Sequence, residues 1–142
     1  MPNTSDIASA LVAKLGSDPE LLSLCPNGVY FDEAPPGAQR FVVVSFVTAL
    51  DRGVLGRRAI EDGQYLVEAR MLSTVPGANI NRAAARIDEL LEDQPLTAAG
   101  YGWMTTFRTE PTRLTEVDDL DPSIRWYRRG GHYVVQMSVI GA

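Results

Sequence analysis

Arg40 to Val47 reads RFVVVSFV, and no other segment constrains the fold as tightly. In an extended chain successive side chains point to opposite faces. Phe41, Val43 and Val47 therefore lie on one side, with Val42, Val44 and Phe46 on the other. A strand that is apolar on both faces belongs inside a sheet, or under cover on both sides. The rest of the chain has to supply that sheet and that cover.

Three further stretches alternate at strand spacing. Tyr65, Val67, Ala69 and Met71 oppose Gln64, Glu68 and Arg70 within Gln64–Ser73. Tyr101, Trp103, Thr105 and Phe107 oppose Met104, Thr106 and Arg108, and core packing accounts for Trp103, Phe107 and Tyr133. Tyr133, Val135, Met137 and Val139 oppose Gln136 and Ser138.

Helical spacing appears twice. Ser5 and Asp6 read as caps for a helix from Ile7, with Ile7, Leu11, Val12 and Leu15 on one stripe and Gly16 as a left-handed stop. Ile80, Ala83, Ala84, Ile87, Leu90 and Leu91 share one face of a second helix, with Asp88, Glu89 and Glu92 opposite, ending before Pro95. Asp18-Pro19 starts a short extra helical turn.

The remaining segments read as connections. Cys25–Gln39 is mostly loop, with Val29–Phe31 a brief extended piece. Thr48–Gly63 reads as a polar loop with three glycines, and Glu110–Gly131 as a polar stretch. The strands thus pair off through connections of 16 and 23 residues, and long connections in a small domain usually carry function. The order predicts an α+β fold: a mixed, mostly antiparallel four-stranded sheet with two main helices packed on one face. Residues 1–142 form a single domain of this kind.

Little in this chain points to catalysis. One cysteine, Cys25, and one histidine, His132, cannot build a Cys/His zinc site. Cys25 reads as a partly buried small hydrophobe. Asp118, Asp119 and Asp121 read as a solvated acidic turn, because Leu120-Asp121-Pro122 interrupts any calcium-loop pattern. His132 has no local Ser or Asp partner, and Gly53-Val54-Leu55-Gly56 lacks the lysine of a phosphate loop. No catalytic, metal or cofactor residues are expected. With 13 basic and 18 acidic residues, a net charge of −5, general DNA coating is not expected either. No signal peptide or membrane span is expected, which places the chain in a reducing cytoplasm.

Arginine pairs and aromatics mark the expected contacts. Trp126-Tyr127 sits among Arg125, Arg128 and Arg129, and Trp, Tyr and Arg are the residue types enriched in interface hot spots. Arg52, Arg57 and Arg58 crowd the first long connection. Arg52, Arg57, Arg58, Trp126, Tyr127, Arg128 and Arg129 are therefore the expected contact residues. The paired arginines Arg57-Arg58 and Arg128-Arg129 also make sense as solvated loop charges, and Trp126-Tyr127 as a hydrophobic anchor for its loop.

The layout resembles the tail terminator, or tail-completion, proteins of long-tailed bacteriophages. The likeness is carried by the opening helix Ile7–Leu15 and by the proline-containing loop into Phe41–Val47. It continues through YLVEARMLSTVPGANINRAAARIDELL and ends with WYRRGGHYVVQMSV. The resemblance implies a structural virion protein of the tail, assembled in the host cytoplasm as a homo-hexameric ring at the head-proximal end of the tube. Its partners would be the tail tube protein and the head–tail connector, with DNA passing through without specific binding. A head–tail connector subunit is a near variant. The other readings are a dimeric regulatory module, and a ligand-binding module or enzyme using Asp118, Asp119 or His132.

Overall fold

The computed structural model describes residues 4–54, 57–74 and 79–140, with the side chains at 4–5, 51–54 and 57–59 outside that description. In chain order the elements are α1 (Thr4–Gly16), α2 (Pro19–Leu24), β1 (Val29–Phe31), β2 (Arg40–Val54) and β3 (Arg57–Leu72). They are followed by α3 (Ile80–Leu91), β4 (Tyr101–Val117) and β5 (Arg125–Val139). The strands form one sheet in the order β1-β2-β3-β5-β4. β1 runs parallel to β2, and every other neighbouring pair is antiparallel. The α+β class and the mixed, mostly antiparallel sheet are as expected, but the described sheet has five strands, not four.

The fifth strand is the short Val29–Phe31 piece. Three residues are too few for alternation to announce a strand, yet they register against Val42–Val44. Asn27 fixes the approach. Its side-chain oxygen accepts from the backbone N–H of Gln39 (3.2 Å) and Arg40 (2.9 Å), and its own N–H donates to the Arg40 carbonyl.

The larger correction concerns the two connections. Thr48–Val54 pairs with Arg57–Gln64 as a continuation of the β2–β3 hairpin, so the expected polar loop is ladder up to residues 55 and 56, which are not described. Likewise β4 runs to Val117 and β5 begins at Arg125, leaving only a short turn between them. Side-chain polarity misled here. Ladder hydrogen bonds are made by the backbone, and they form beneath polar side chains as well as apolar ones. Pro111 is accommodated within β4 because an edge strand tolerates a residue without an N–H.

The helices lie on one face. Ile7, Leu11 and Leu15 of α1, Leu21 of α2, and Ala83, Ile87 and Leu91 of α3 join one core cluster. That cluster takes Val42 and Val44 from β2, Tyr65, Val67, Ala69 and Met71 from β3, and Tyr133, Val135 and Met137 from β5. These strand residues are register partners of one parity, so the core is the sheet face under the helices. At 0% exposure, Ile7, Leu11, Leu15 and Ile87 each stabilise the fold by about 1.5–3 kcal/mol relative to exposure.

Helix ends follow the capping rules except at α1. Asp18 caps α2, its carboxylate accepting from Leu21 N–H at 2.9 Å, with Pro19 next. Asn79 caps α3 by accepting from Arg82 N–H at 3.0 Å. α1, however, starts at Thr4, which places Ser5 and Asp6 inside its first turn, where Asp6 still suits the positive helix end. Gly16 is the last helical residue of α1, not a left-handed stop.

Two β-bulges re-aim β4. The register slips one residue between Trp103 and Thr105, and again between Arg108 and Glu110. Tyr101 and Trp103 face the helices. After the first slip Thr106 takes that face, with 0% exposure, and accepts from the Trp103 indole at 2.9 Å. Phe107 is thereby turned to the other face, where it is exposed. The expectation that Phe107 packs in the core fails for this reason.

Candidate functional site

The sheet face away from the helices carries a charged cluster. Phe41 and Val43 of β2 are buried on this face, although no described helix covers them. Phe41 meets the Trp126 ring and lines one cavity with Arg70 of β3 and Arg128 of β5. Glu68 is 3% exposed and shares its Oε1 between two guanidinium groups. Arg70 Nε donates to it at 2.8 Å and Arg128 Nε at 2.7 Å. Arg128 also bonds Glu116 across the β4–β5 ladder.

Gly130 makes this cluster possible. It pairs with Glu68, and a Cβ there would lie 1.9 Å from the Val67 carbonyl oxygen and 2.5 Å from Glu68 Cα. Only glycine lets β3 and β5 come this close.

Trp126 is the anchor of the β4–β5 turn. Its ring meets Phe41 edge-on at 5.8 Å, and its Nε1 donates to Asp118 at 3.0 Å. Asp118 also accepts from the N–H groups of Leu120 and Asp121, and Asp121 accepts from Ser123 N–H and Oγ. The indole, followed by the backbone donors, holds the Asp118 carboxyl below the usual carboxylate range. Bonds from Ser123 do the same for Asp121. The result is the solvated acidic turn expected from sequence. Its apex, Leu120, is 95% exposed.

The expected contact residues do not form one patch. Trp126, Tyr127, Arg128 and Arg129 lie on β5, not in a loop, so they alternate between faces. Trp126 and Arg128 join the charged cluster. Tyr127 and Arg129 register with Met71 and Ala69, on the face under the helices. Arg52, Arg57 and Arg58 belong to the far end of the β2–β3 hairpin, and their side chains lie outside the described residues. That hairpin and the β4–β5 hairpin point in opposite directions, so the two sets sit at opposite ends of the sheet.

Arg113, outside the expected contact set, stands directly across the ladder from Arg129. Like charges placed opposite one another are destabilising. Among the described residues neither arginine has a carboxylate within ion-pair distance. Arg129 donates to the carbonyls of Leu114 (3.0 Å) and Arg128 (2.9 Å), and its guanidinium lies 5.9 Å from the Tyr127 ring centre. Its Nε is buried without a hydrogen-bond partner. Burial and then the neighbouring Arg113 pull the Arg129 guanidinium below its ordinary range. The alternation Pro111, Arg113, Thr115 carried this signal, but it becomes visible only once β4 is known to continue past Arg108.

Cys25 is fully buried, and burial pushes its thiol up to about 12. His132 lies within β5, 3.7 Å from Glu110. Among the described residues no group of three or more His, Cys, Asp or Glu side chains gathers as metal ligands do, and no helix is long and apolar enough to cross a membrane.

Both sheet edges are partly open. β1 covers β2 only at Val42–Val44, and Phe46, Val47 and Leu50 farther along are exposed. On β4, the Thr106 carbonyl accepts from Asp93 N–H and the Arg108 N–H donates to Glu92. These bonds close the edge beside α3 and leave the distal half open.

No protein-family model matches this sequence, and no curated protein matches it. Solved structures do share the fold. A chain of the virion of a native gene transfer agent particle superposes with a TM-score of 0.71 at 15% identity, over 96% of this chain and 99% of that one. A second solved chain superposes with a TM-score of 0.59 at 14% identity, over 100% of this chain and 99% of its own. At these identities the likeness establishes the fold.

Proposed function

We propose that this chain is a non-catalytic structural subunit of a phage-like virion, acting as the tail terminator. The observation that carries the reading is the end-to-end likeness to a chain of the gene transfer agent virion, with almost nothing left over on either side. The resemblance of WYRRGGHYVVQMSV and YLVEARMLSTVPGANINRAAARIDELL to terminator proteins, found independently in the sequence, agrees with it.

In this reading six copies close into a ring at the head-proximal end of the tail tube. One ring face meets the tube protein and stops its polymerisation, and the other meets the head–tail connector. A subunit whose two sheet edges differ suits heterologous contacts, which close into rings when the rotation allows. The net charge of −5 keeps the ring from gripping the DNA that passes through it.

Light scattering across a wide concentration range, with negative-stain images of the same samples and of samples mixed with tail tubes, tests this. The expected result is a hexameric ring with a hole wide enough for duplex DNA, in solution or on tube ends. A compact two-fold dimer at every concentration, unaffected by tubes, would replace the terminator with a regulatory module.

A further inference from the structure

The β4–β5 hairpin carries two surfaces that match each other but cannot meet within one chain. The first is the acidic turn. Asp118 and Asp121 are used up in holding it, through Leu120 N–H, Asp121 N–H, Trp126 Nε1 and Ser123. Leu120 and Asp119 are both exposed and have no such duty. A large apolar residue at 95% exposure on a turn this firmly held is a preorganised knob, and preorganisation lowers the entropy cost of docking.

The second surface is the Arg113–Arg129 pair with the Tyr127 ring beside it. Two facing arginines without a carboxylate, one with an idle Nε–H, lack the anion that would relieve their repulsion. Four ladder steps separate Arg113–Arg129 from the last pair before the turn, Val117–Arg125, which is roughly 13 Å along a stiff ribbon. The turn therefore cannot fold back onto the arginines of its own chain.

We infer that the acidic turn of one copy docks on the Arg113–Arg129–Tyr127 surface of the next, with Asp119 facing the guanidinium pair and Leu120 against the Tyr127 ring. This contact rests on the ring reading and gives it a specific joint. The partner is a second copy of this chain, chosen by charge complementarity. Because each copy offers both halves, the contact is heterologous and propagates around a ring. Residue types also fit, since arginine and tyrosine dominate interface hot spots.

The test is a charge-swap cycle on the full chain, read as the concentration at half-assembly by mass photometry, with and without tail tubes. Asp119 and Arg113 are the residues to change, because among the described residues neither side chain makes a hydrogen bond or ion pair whose loss would unfold the hairpin; circular dichroism checks that it stays folded. Asp119→Arg and Arg113→Glu should each raise the half-assembly concentration about tenfold or more, and Leu120→Ala by a similar factor. The double variant D119R/R113E should lose clearly less than the two single losses combined, since the arginine introduced at position 119 regains an opposite charge at position 113 while Arg129 still stands beside it. Rings that form normally in every single variant, or losses that simply add in the double, would overturn this contact and leave the ring reading standing. A wild-type chain that forms no oligomer even with tubes would overturn both.

Discussion

Under the helices, Val44, Val67 and Val135 reach 0% exposure against other apolar side chains. On the opposite face of the same strands, Glu68 reaches 3% beneath two arginines. The first arrangement is non-directional and tolerates small shifts. The second needs a carboxylate, two guanidinium groups and a glycine at one point of the ladder. An apolar face stabilises by area. A charged face stabilises only when its geometry is complete, because a buried charge without its partners is costly.

The comparison can be broken most severely at Gly130. Gly130→Ala inserts a Cβ into the Val67 carbonyl, backbone against backbone, so β3 and β5 must part. Cooperative thermal unfolding by circular dichroism should disappear, and a wild-type-like transition would show that the close approach is dispensable. Ile87→Ala attacks the apolar face instead. It should lower stability by about 3–4 kcal/mol in urea unfolding, as for other fully buried aliphatic truncations, with little salt dependence.

Glu68→Ala probes the charged face and should lose less, about 2 kcal/mol, because Arg70 and Arg128 keep side-chain exposures of 27% and 21% and can turn to water. Part of that loss is arginine–arginine repulsion, so unfolding in rising NaCl should narrow the gap to wild type. No narrowing would mean that Glu68 acts through packing alone.

Asp18 gives the smallest and most pH-dependent effect. It caps α2 and also receives Arg86 at 2.7 Å, and the Arg86 guanidinium, ahead of the Leu21 N–H, holds its carboxyl below the usual range. A depressed folded-state value means that the stabilisation is present above the unfolded value and is lost as pH falls through the folded one. Asp18→Ala should therefore cost about 1 kcal/mol at neutral pH. The gap should hold down to about pH 5 and close below about pH 4. A gap that widened in acid would contradict the assigned pairing with Arg86.

The face under the helices was legible in the sequence because burial there writes itself as alternation in Tyr65–Met71 and Tyr133–Val139 and as helical spacing in Ile80–Leu91. The opposite face was not. Glu68, Arg70 and Arg128 look like solvent positions, and only the register shows that they converge. The hairpin ends were misread for a related reason, since Thr48–Val54 and Thr109–Val117 are ladders without a consistent apolar side. The bulges of β4 reversed the facing of Phe107, which no count of alternating positions can foresee. Of the expected contact residues, the alternation of β5 separated Trp126 and Arg128 from Tyr127 and Arg129, and it brought in Arg113 as the missing neighbour.

The burial of Cys25 has a practical consequence. Burial pushes its thiol up to about 12, so little nucleophilic thiolate forms at ordinary pH, and the sulfur is walled off from solvent. The protein is thus a chemically silent background for site-directed labelling. A cysteine introduced at Asp119 would be the sole reactive handle on each subunit, and a crosslinker or fluorophore attached there would report its neighbour without any need to alter the native sulfur.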